Sequence, residues 1–237
     1  MKRLLVFLAV LMLLAGTALA EESSVIRGYD RKNGYVYVSL GTYPTDRDGT
    51  IRPIVWRVLS ADGESAYLLS EYILEASQIH SDRTTYRSWE TCDLFRYLNG
   101  VFFETAFSGE EQQLLVCKTE DGGLVTLITA EEMRSDALGF INNSARKCLS
   151  TDYAKETGLY IYSKGHRYSP WWSRTRSDAN KNQQRRVMDE GKTGRIDVQA
   201  KDLGTRPAVN IDLTKTRILS GSGTLEDPWV LGLVQPD

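Results

Sequence analysis

The sequence predicts an α+β fold: a twisted antiparallel sheet flanked by short helices and joined by long irregular loops. Three observations carry that expectation. The N-terminal third alternates β-branched and aromatic residues between tight turns containing Gly, Asp and Asn. The middle changes to helical spacing with capping signatures. The last third returns to short strands and polar loops punctuated by glycine and serine.

Lys2 and Arg3 precede an uncharged apolar run from Leu4 to Ala15, and Ala18-Leu19-Ala20 fits the small-x-small cleavage rule. The pattern predicts a signal peptide over 1–20, export, and one mature domain over 21–237. The apolar run is shorter than the roughly 20 residues of a spanning helix, so no transmembrane anchor is expected after cleavage. Residues 25–29 read as a strand, 30–34 as a turn closed by Asn33-Gly34, and 35–40 as the partner strand. A loop over 42–50 follows. Pro53 opens a strand carrying Trp56 and ending at Leu59, and Asp62-Gly63 turns it back into 67–70.

Trp89 leads into an amphipathic helix over 92–98, with Leu94, Phe95 and Leu98 on one face and Asn99-Gly100 ending it. Phe102, Phe103 and Phe107 form an aromatic packing cluster. Ser108-Gly109-Glu110-Glu111 and Thr129-Ala130-Glu131-Glu132 both read as capping boxes, the first opening a helix to about residue 116. Residues 123–128 are extended and 153–156 helical. Residues 158–182 are too irregular for a long element. Short strands are expected at 187–188, 196–198 and 207–213, a flexible turn at 220–223, and a final strand at 229–234.

Composition narrows the function classes. There are 29 Lys and Arg against 31 Asp and Glu, a net charge of −2; cleavage that removes Lys2 and Arg3 takes the balance to about −4. A nucleic-acid partner needs a basic field, and none is expected. The basic residues Lys181, Arg185 and Arg186 read as solvated surface. Cys92, Cys117 and Cys148 cannot all pair within one chain, and their spacing fits no zinc or redox motif. They read mostly as buried structural thiols. The oligomeric state is not legible.

Certain residues carry a family resemblance. Pro53-Ile54-Val55-Trp56-Arg57-Val58-Leu59 precedes Leu68-Leu69-Ser70; then come Trp89-Glu90-Thr91-Cys92-Asp93-Leu94-Phe95-Arg96-Tyr97-Leu98-Asn99 and Ala106-Phe107-Ser108. Farther on stand Trp171-Trp172, Arg174, Arg176-Ser177 and Gly204-Thr205-Arg206-Pro207-Ala208. Over about 35–213 this resembles a bacterial family, domain of unknown function 6273, itself similar to the C-type-lectin-like superfamily that includes the sulfatase-modifying enzymes. The resemblance implies a C-type-lectin-like fold in which the late Trp-rich segment and the Arg206-Pro207 strand lie in the core and lower sheet. The family's Trp-Leu-Arg-Ser is replaced by Trp172-Ser173-Arg174-Thr175-Arg176-Ser177, so its arginine is Arg174 or Arg176. The Glu-Pro-Asn, Gln-Pro-Asp and Trp-Asn-Asp motifs of calcium-dependent lectins are absent, and no cysteine follows Cys148 to supply the late pair of the sulfatase-modifying enzymes.

The segment holding Tyr160, Tyr162, His166, Tyr168, Trp171, Trp172, Arg174 and Arg176 is the most suggestive. Aromatic faces stack on sugars or anchor peptides, and arginine offers a rigid donor fork. His166, Tyr168, Trp171, Arg174 and Arg176 are taken as ligand-binding candidates. Trp56, Trp89, Leu94, Leu98, Asn99, Phe107, Trp172, Arg206 and Pro207 are taken as structural. No catalytic residue, metal ligand or cofactor is assigned: Asp46-Arg47-Asp48-Gly49-Thr50 lacks the closing Glu of a calcium loop, and His166 with Asp178 and Ser169 or Ser177 lacks a nucleophile elbow. The expectation is a secreted, non-catalytic binding module for an extracellular glycan or a protein. A hydrolase-like enzyme with a cleft near His166, and a purely structural module, are the alternatives.

Overall fold

A computed structural model describes residues 25–162 and 167–234; the expected signal peptide lies outside them. The chain is mixed α and β, dominated by two sheets with short helices between them. Its frame begins with β1 (Tyr37–Pro44), β2 (Ile51–Ala61) and β3 (Ser65–Ser70), an antiparallel meander. Asp62 closes the β2–β3 turn by accepting from the backbone N–H of Glu64 and Ser65 at 3.0 and 2.7 Å. The other strands are β4 (Glu75–Ser77), β5 (Leu115–Val116), β6 (Val125–Thr126), β7 (Trp171–Arg176), β8 (Gln183–Val187), β9 (Thr193–Asp197), β10 (Leu203–Thr205), β11 (Ala208–Asp212), β12 (Thr216–Ser220) and β13 (Trp229–Leu233).

The larger sheet runs β12-β13-β1-β2-β3-β11-β5, with β6 also on β11; the smaller runs β4-β10-β7-β8-β9. Two pairings are parallel, β1 with β13 and β10 with β7. The expectation of a single antiparallel sheet is thus corrected to two mixed sheets. Local turns are visible in sequence, whereas parallel neighbours are brought together by long connections that leave no local signal.

The helices are α1 (Asp93–Tyr97), α2 (Phe103–Ala106), α3 (Gly109–Gln112), α4 (Asn143–Arg146) and α5 (Asp152–Glu156). Asn99-Gly100 does not end the first of them. A π-helical turn, Leu98–Phe102, carries the chain straight into α2. The Asn99 amide instead bonds across to residues 124–125: Nδ2 donates to the Val125 carbonyl at 2.8 Å, and Oδ1 accepts from Leu124 and Val125 N–H at 2.8 and 3.1 Å. A widened turn adjoins a residue whose side chain is committed to a neighbouring segment.

At Ser108 the capping box forms, with Glu111 Oε2 accepting from Ser108 N–H at 2.8 Å. Its other oxygen accepts from Gly41 N–H at 2.8 Å, which fixes α3 against a β1–β2 bulge at residues 39–42. Gly41 has φ +69°, and an added Cβ would lie 2.7 Å from the Ala106 carbonyl and the Phe107 ring; only glycine fits there. The helix ends at Gln112 rather than near 116, because Leu115 and Val116 pair with β11. The second box also closes, Thr129 Oγ1 accepting from Glu132 N–H at 3.0 Å and Glu132 Oε2 from Thr129 N–H at 2.6 Å, but opens only a 3₁₀ turn.

Residues 25–29 form no strand; Tyr29 N–H donates to Leu59 instead. The expected 42–50 loop shortens because β1 reaches Pro44. Strand β7 arises where irregular chain was expected, and β12 in a stretch to which the sequence assigned no element.

The core lies on both faces of the central strands. Its main part holds Trp56, Trp89, Leu94, Leu98, Phe102, Phe107 and Trp172. The second part holds Leu59, Leu69, Ile73, Phe140, Cys148 and Trp171. Trp56 stacks on Phe107 at 6.2 Å between ring centres, and its indole N–H donates to the Leu40 carbonyl at 2.8 Å. Cys92 and Cys148 are buried free thiols, while Cys117 is exposed. Cys92 accepts from Phe95 N–H at the start of α1, and burial pushes its thiol up to about 12.

Candidate functional site: a tyrosine-walled cleft

Strand β7 sets the fate of the late aromatic segment. Successive side chains on a strand point to opposite faces, so Trp171 and Trp172 enter different cores, each fully enclosed. Trp171 donates to the Arg146 carbonyl at 3.0 Å and Trp172 to that of Ser77 at 2.8 Å. Trp171 is therefore an internal packing residue rather than an exposed anchor. Its other face meets Arg206, whose guanidinium carbon lies 5.0 Å from the ring centre. Arg206 is itself fully buried and donates to the Ser70 and Glu71 carbonyls at 2.7 and 3.5 Å. The adjacent Pro207, also buried, accepts from Ser70 N–H. Glu71 pairs with Arg57 at 2.5 Å.

The two candidate arginines are tied down within the fold. Arg174 pairs with Asp121 at 3.1 Å and also donates to Thr126 Oγ1 at 3.1 Å. The Asp121 side chain is only 3% exposed and further accepts from Trp89 Nε1, Thr119, Gly123 and Thr126. Burial pushes its carboxyl up, but the Thr119, Thr126 and Gly123 hydrogen bonds and the Arg174 charge outweigh this and hold it below the ordinary carboxylate range. Arg176 donates to the carbonyls of Lys181 and Arg87 at 2.7 and 2.6 Å and lies over the Tyr86 ring. Tyr168 is half-buried with the Lys147 ammonium 5.3 Å from its ring centre. His166 lies outside the described residues. Ser169 and Ser177 are buried, and the exposed Asp178 faces the half-buried Arg185 at 3.8 Å.

A cleft of about 600 Å³ opens beside this segment. Tyr160 and Tyr162 form one wall, 44% and 43% exposed, with ring centres 6.4 Å apart and planes at 63°. Pro170, Met188 and Leu203 give an apolar floor, and Arg186, Asp189, Glu190, Lys192 and Asp202 a charged rim. The tyrosine arm is anchored where Tyr160 N–H donates to the Asp202 carbonyl at 2.8 Å. On the rim Lys192 faces Glu190 at 3.6 Å. A hydrogen bond shared with the Asp189 side chain, then the Glu190 backbone N–H and the Lys192 charge, hold Glu190 below its usual range. At neutral pH the rim offers carboxylate acceptors and cationic donors around exposed aromatic faces.

None of Tyr168, Trp171, Arg174 and Arg176 lines this cleft. Tyr160 and Tyr162, from the same aromatic segment, do. Arg186, expected as solvated surface, lines the cleft, its Nε enclosed and without a hydrogen-bond partner among the described residues. The 186–192 and 202–203 contributions had no sequence signal beyond a charged hairpin, since β8 and β10 are brought near each other only by their common pairing with β7.

A family model, Domain of unknown function (DUF6273), matches residues 63–213. The chain belongs to the DUF6273 family. The DUF6273 region runs from β3 through β11 and contains every residue of the cleft. The likeness read from sequence began near residue 35; the match starts later, leaving β1, β2 and the β12–β13 hairpin outside it. No curated protein and no solved structure matches the chain. Among the described residues, no three His, Cys, Asp or Glu side chains gather as a metal site, and no helix is long and apolar enough to cross a membrane.

Proposed function

We propose that this chain is a secreted, non-catalytic recognition module that holds an extracellular glycan in the cleft walled by Tyr160 and Tyr162. The observation that carries the reading is the pair of exposed tyrosine rings bordering a cleft with an apolar floor and a carboxylate-bearing rim. Sugar rings present C–H faces to aromatic surfaces and rows of hydroxyls that both donate and accept. Tyrosine faces serve the first, and Asp202, Glu190 and Arg186 serve the second. A mixed rim also suits a neutral saccharide better than a polyanion. Placement outside the cytoplasm rests on the N-terminal apolar run and its small-x-small site. The C-type-lectin-like assignment and the bacterial source rest on the Trp89-to-Asn99 and Gly204-to-Ala208 patterns.

A glycan array followed by calorimetry on the best hit tests the reading. Tyr160→Ala and Tyr162→Ala are each expected to weaken binding about tenfold, the scale of one lost aromatic contact. Lys32→Ala, outside the cleft, is expected to leave it unchanged. Binding that survives both tyrosine changes, or an array without hits alongside a captured protein ligand, overturns the assignment. Mass-spectrometric mapping of the mature N-terminus of the exported protein tests cleavage after Ala20.

A further inference from the structure

One buried acid stands apart from the cleft. Glu75 is 9% exposed at the start of β4 in the smaller sheet. Its Oε2 accepts from Tyr43 Oη at 2.8 Å and Tyr97 Oη at 3.1 Å, and the two phenol oxygens lie 3.1 Å apart. Tyr43 comes from β1 of the larger sheet and Tyr97 from α1, so one carboxyl joins three separate elements. Oε1 is enclosed with no hydrogen-bond partner among the described residues. Among the described residues no Lys, Arg or His pairs with Glu75. The titratable groups facing the cluster are phenols: Tyr43, Tyr97, and Tyr153 of α5, whose ring meets Tyr43 edge-on at 5.9 Å. Across the strand pair, Glu75 faces Thr205. A neutral carboxyl suits such a site. An ionised one sets a full negative charge beside two neutral donors and no cation, with one oxygen bare.

We propose that Glu75, Tyr43 and Tyr97 form a proton-operated latch between the two sheets, closed when Glu75 is protonated and loosened when it ionises. Burial, opposed by the two phenol hydrogen bonds, pushes the carboxyl from its ordinary 4.5 up to about 7. A folded-state value above the unfolded one means that the stabilisation is complete below pH 4.5 and is lost as pH rises through about 7. The carboxylates held low, Asp93 at about 2 and Asp121, titrate below this window.

Denaturant unfolding of the full chain between pH 4.5 and 8.5, with Glu75→Gln beside it, tests the latch. The folded-to-unfolded ratio of the parent is expected to fall on the order of 100-fold across the window, and that of Glu75→Gln to stay nearly level. Amide exchange at Ala76, whose N–H donates to Thr157 Oγ1 of the segment after α5, is expected to quicken over the same window once corrected for base catalysis. Carbon-13 NMR of the Glu75 carboxyl in the parent gives a readout that needs no variant, with a midpoint expected near 7. A midpoint near 4.5, an equal slope in Glu75→Gln, or exchange at Ala76 that ignores pH would each overturn the proposal.

Discussion

Asp121 is the hydrogen-bonded centre of the region that sequence reading treated as a binding surface, and removing it separates the structural role of Arg174 from a ligand role. The carboxylate accepts from Trp89 Nε1 at 2.9 Å, Gly123 N–H at 3.1 Å, Thr119 and Thr126 hydroxyls at 2.5 Å each, and Arg174 Nη1 at 3.1 Å. The threonine hydroxyls can turn to other acceptors after Asp121→Ala. The indole and the amide cannot, and the Arg174 guanidinium keeps the Thr126 hydroxyl as an acceptor but loses its counter-charge, with a side chain only 16% exposed. Breaking a buried pair from one side costs about 3–5 kcal/mol. Asp121→Ala is therefore expected to destabilise by about that amount, measured as a lower urea midpoint with unchanged slope. Arg174→Met should cost less, about 1–2 kcal/mol, because four donors remain on the carboxylate. In the double variant the costs should fall short of additive by about 1–3 kcal/mol. The pH dependence has a definite sign. The folded carboxyl lies below its unfolded value, so its stabilisation is present above the unfolded value and is lost as pH falls through the folded one. Asp121→Ala should remove that portion of acid sensitivity. A loss under 1 kcal/mol, or full additivity with Arg174→Met, would refute the reasoning and return Arg174 to the pool of free ligand residues.

Three further outcomes follow from the packing. Trp171→Ala should cost about 3–5 kcal/mol in equilibrium unfolding through cavity formation, so any loss of ligand affinity in that variant must be read beside its folded fraction. Asn99→Ala strips two acceptor contacts and two donor contacts from the α1-to-β6 junction and should lose about 2–4 kcal/mol, with faster amide exchange at Leu124 and Val125. Gly41→Ala places a Cβ against the Ala106 carbonyl at a positive φ and should cost more than about 2 kcal/mol, seen as a drop of several degrees in Tm; an unchanged Tm would show that the bulge relaxes freely.

Much of the first half of the fold was legible because its signals are local. The Asp62-Gly63 turn, the Ser108 and Thr129 boxes and the amphipathic face of Leu94 and Leu98 each act over five residues or fewer, and each has a geometric counterpart. Asn99 does not end the helical run because the same amide that favours a cap also serves as a cross-link, and the choice depends on whether residues 124–125 lie within reach. The cleft takes Tyr160 and Tyr162 from the late aromatic segment, while Tyr168, Trp171, Arg174 and Arg176 of that segment do not line it. Trp171 and Arg174 are the chemically richest residues there, but richness of chemistry also suits them to a core. Tyr160 and Tyr162, eleven and nine residues before Trp171, are the ones left facing solvent.

Local order along the chain, the placement of turns and caps, and the mixture of helix and strand could be read from residue spacing, since those depend on backbone stereochemistry and short-range hydrogen bonds. Which tryptophan faces which core, which carboxylate meets Arg174, and which strands stand beside the tyrosines depended on long-range pairing. Burial and charge compensation are properties of neighbours in space, and of the neighbours of β7 only β8 is close in sequence, while β10 and Asp121 come from segments tens of residues away.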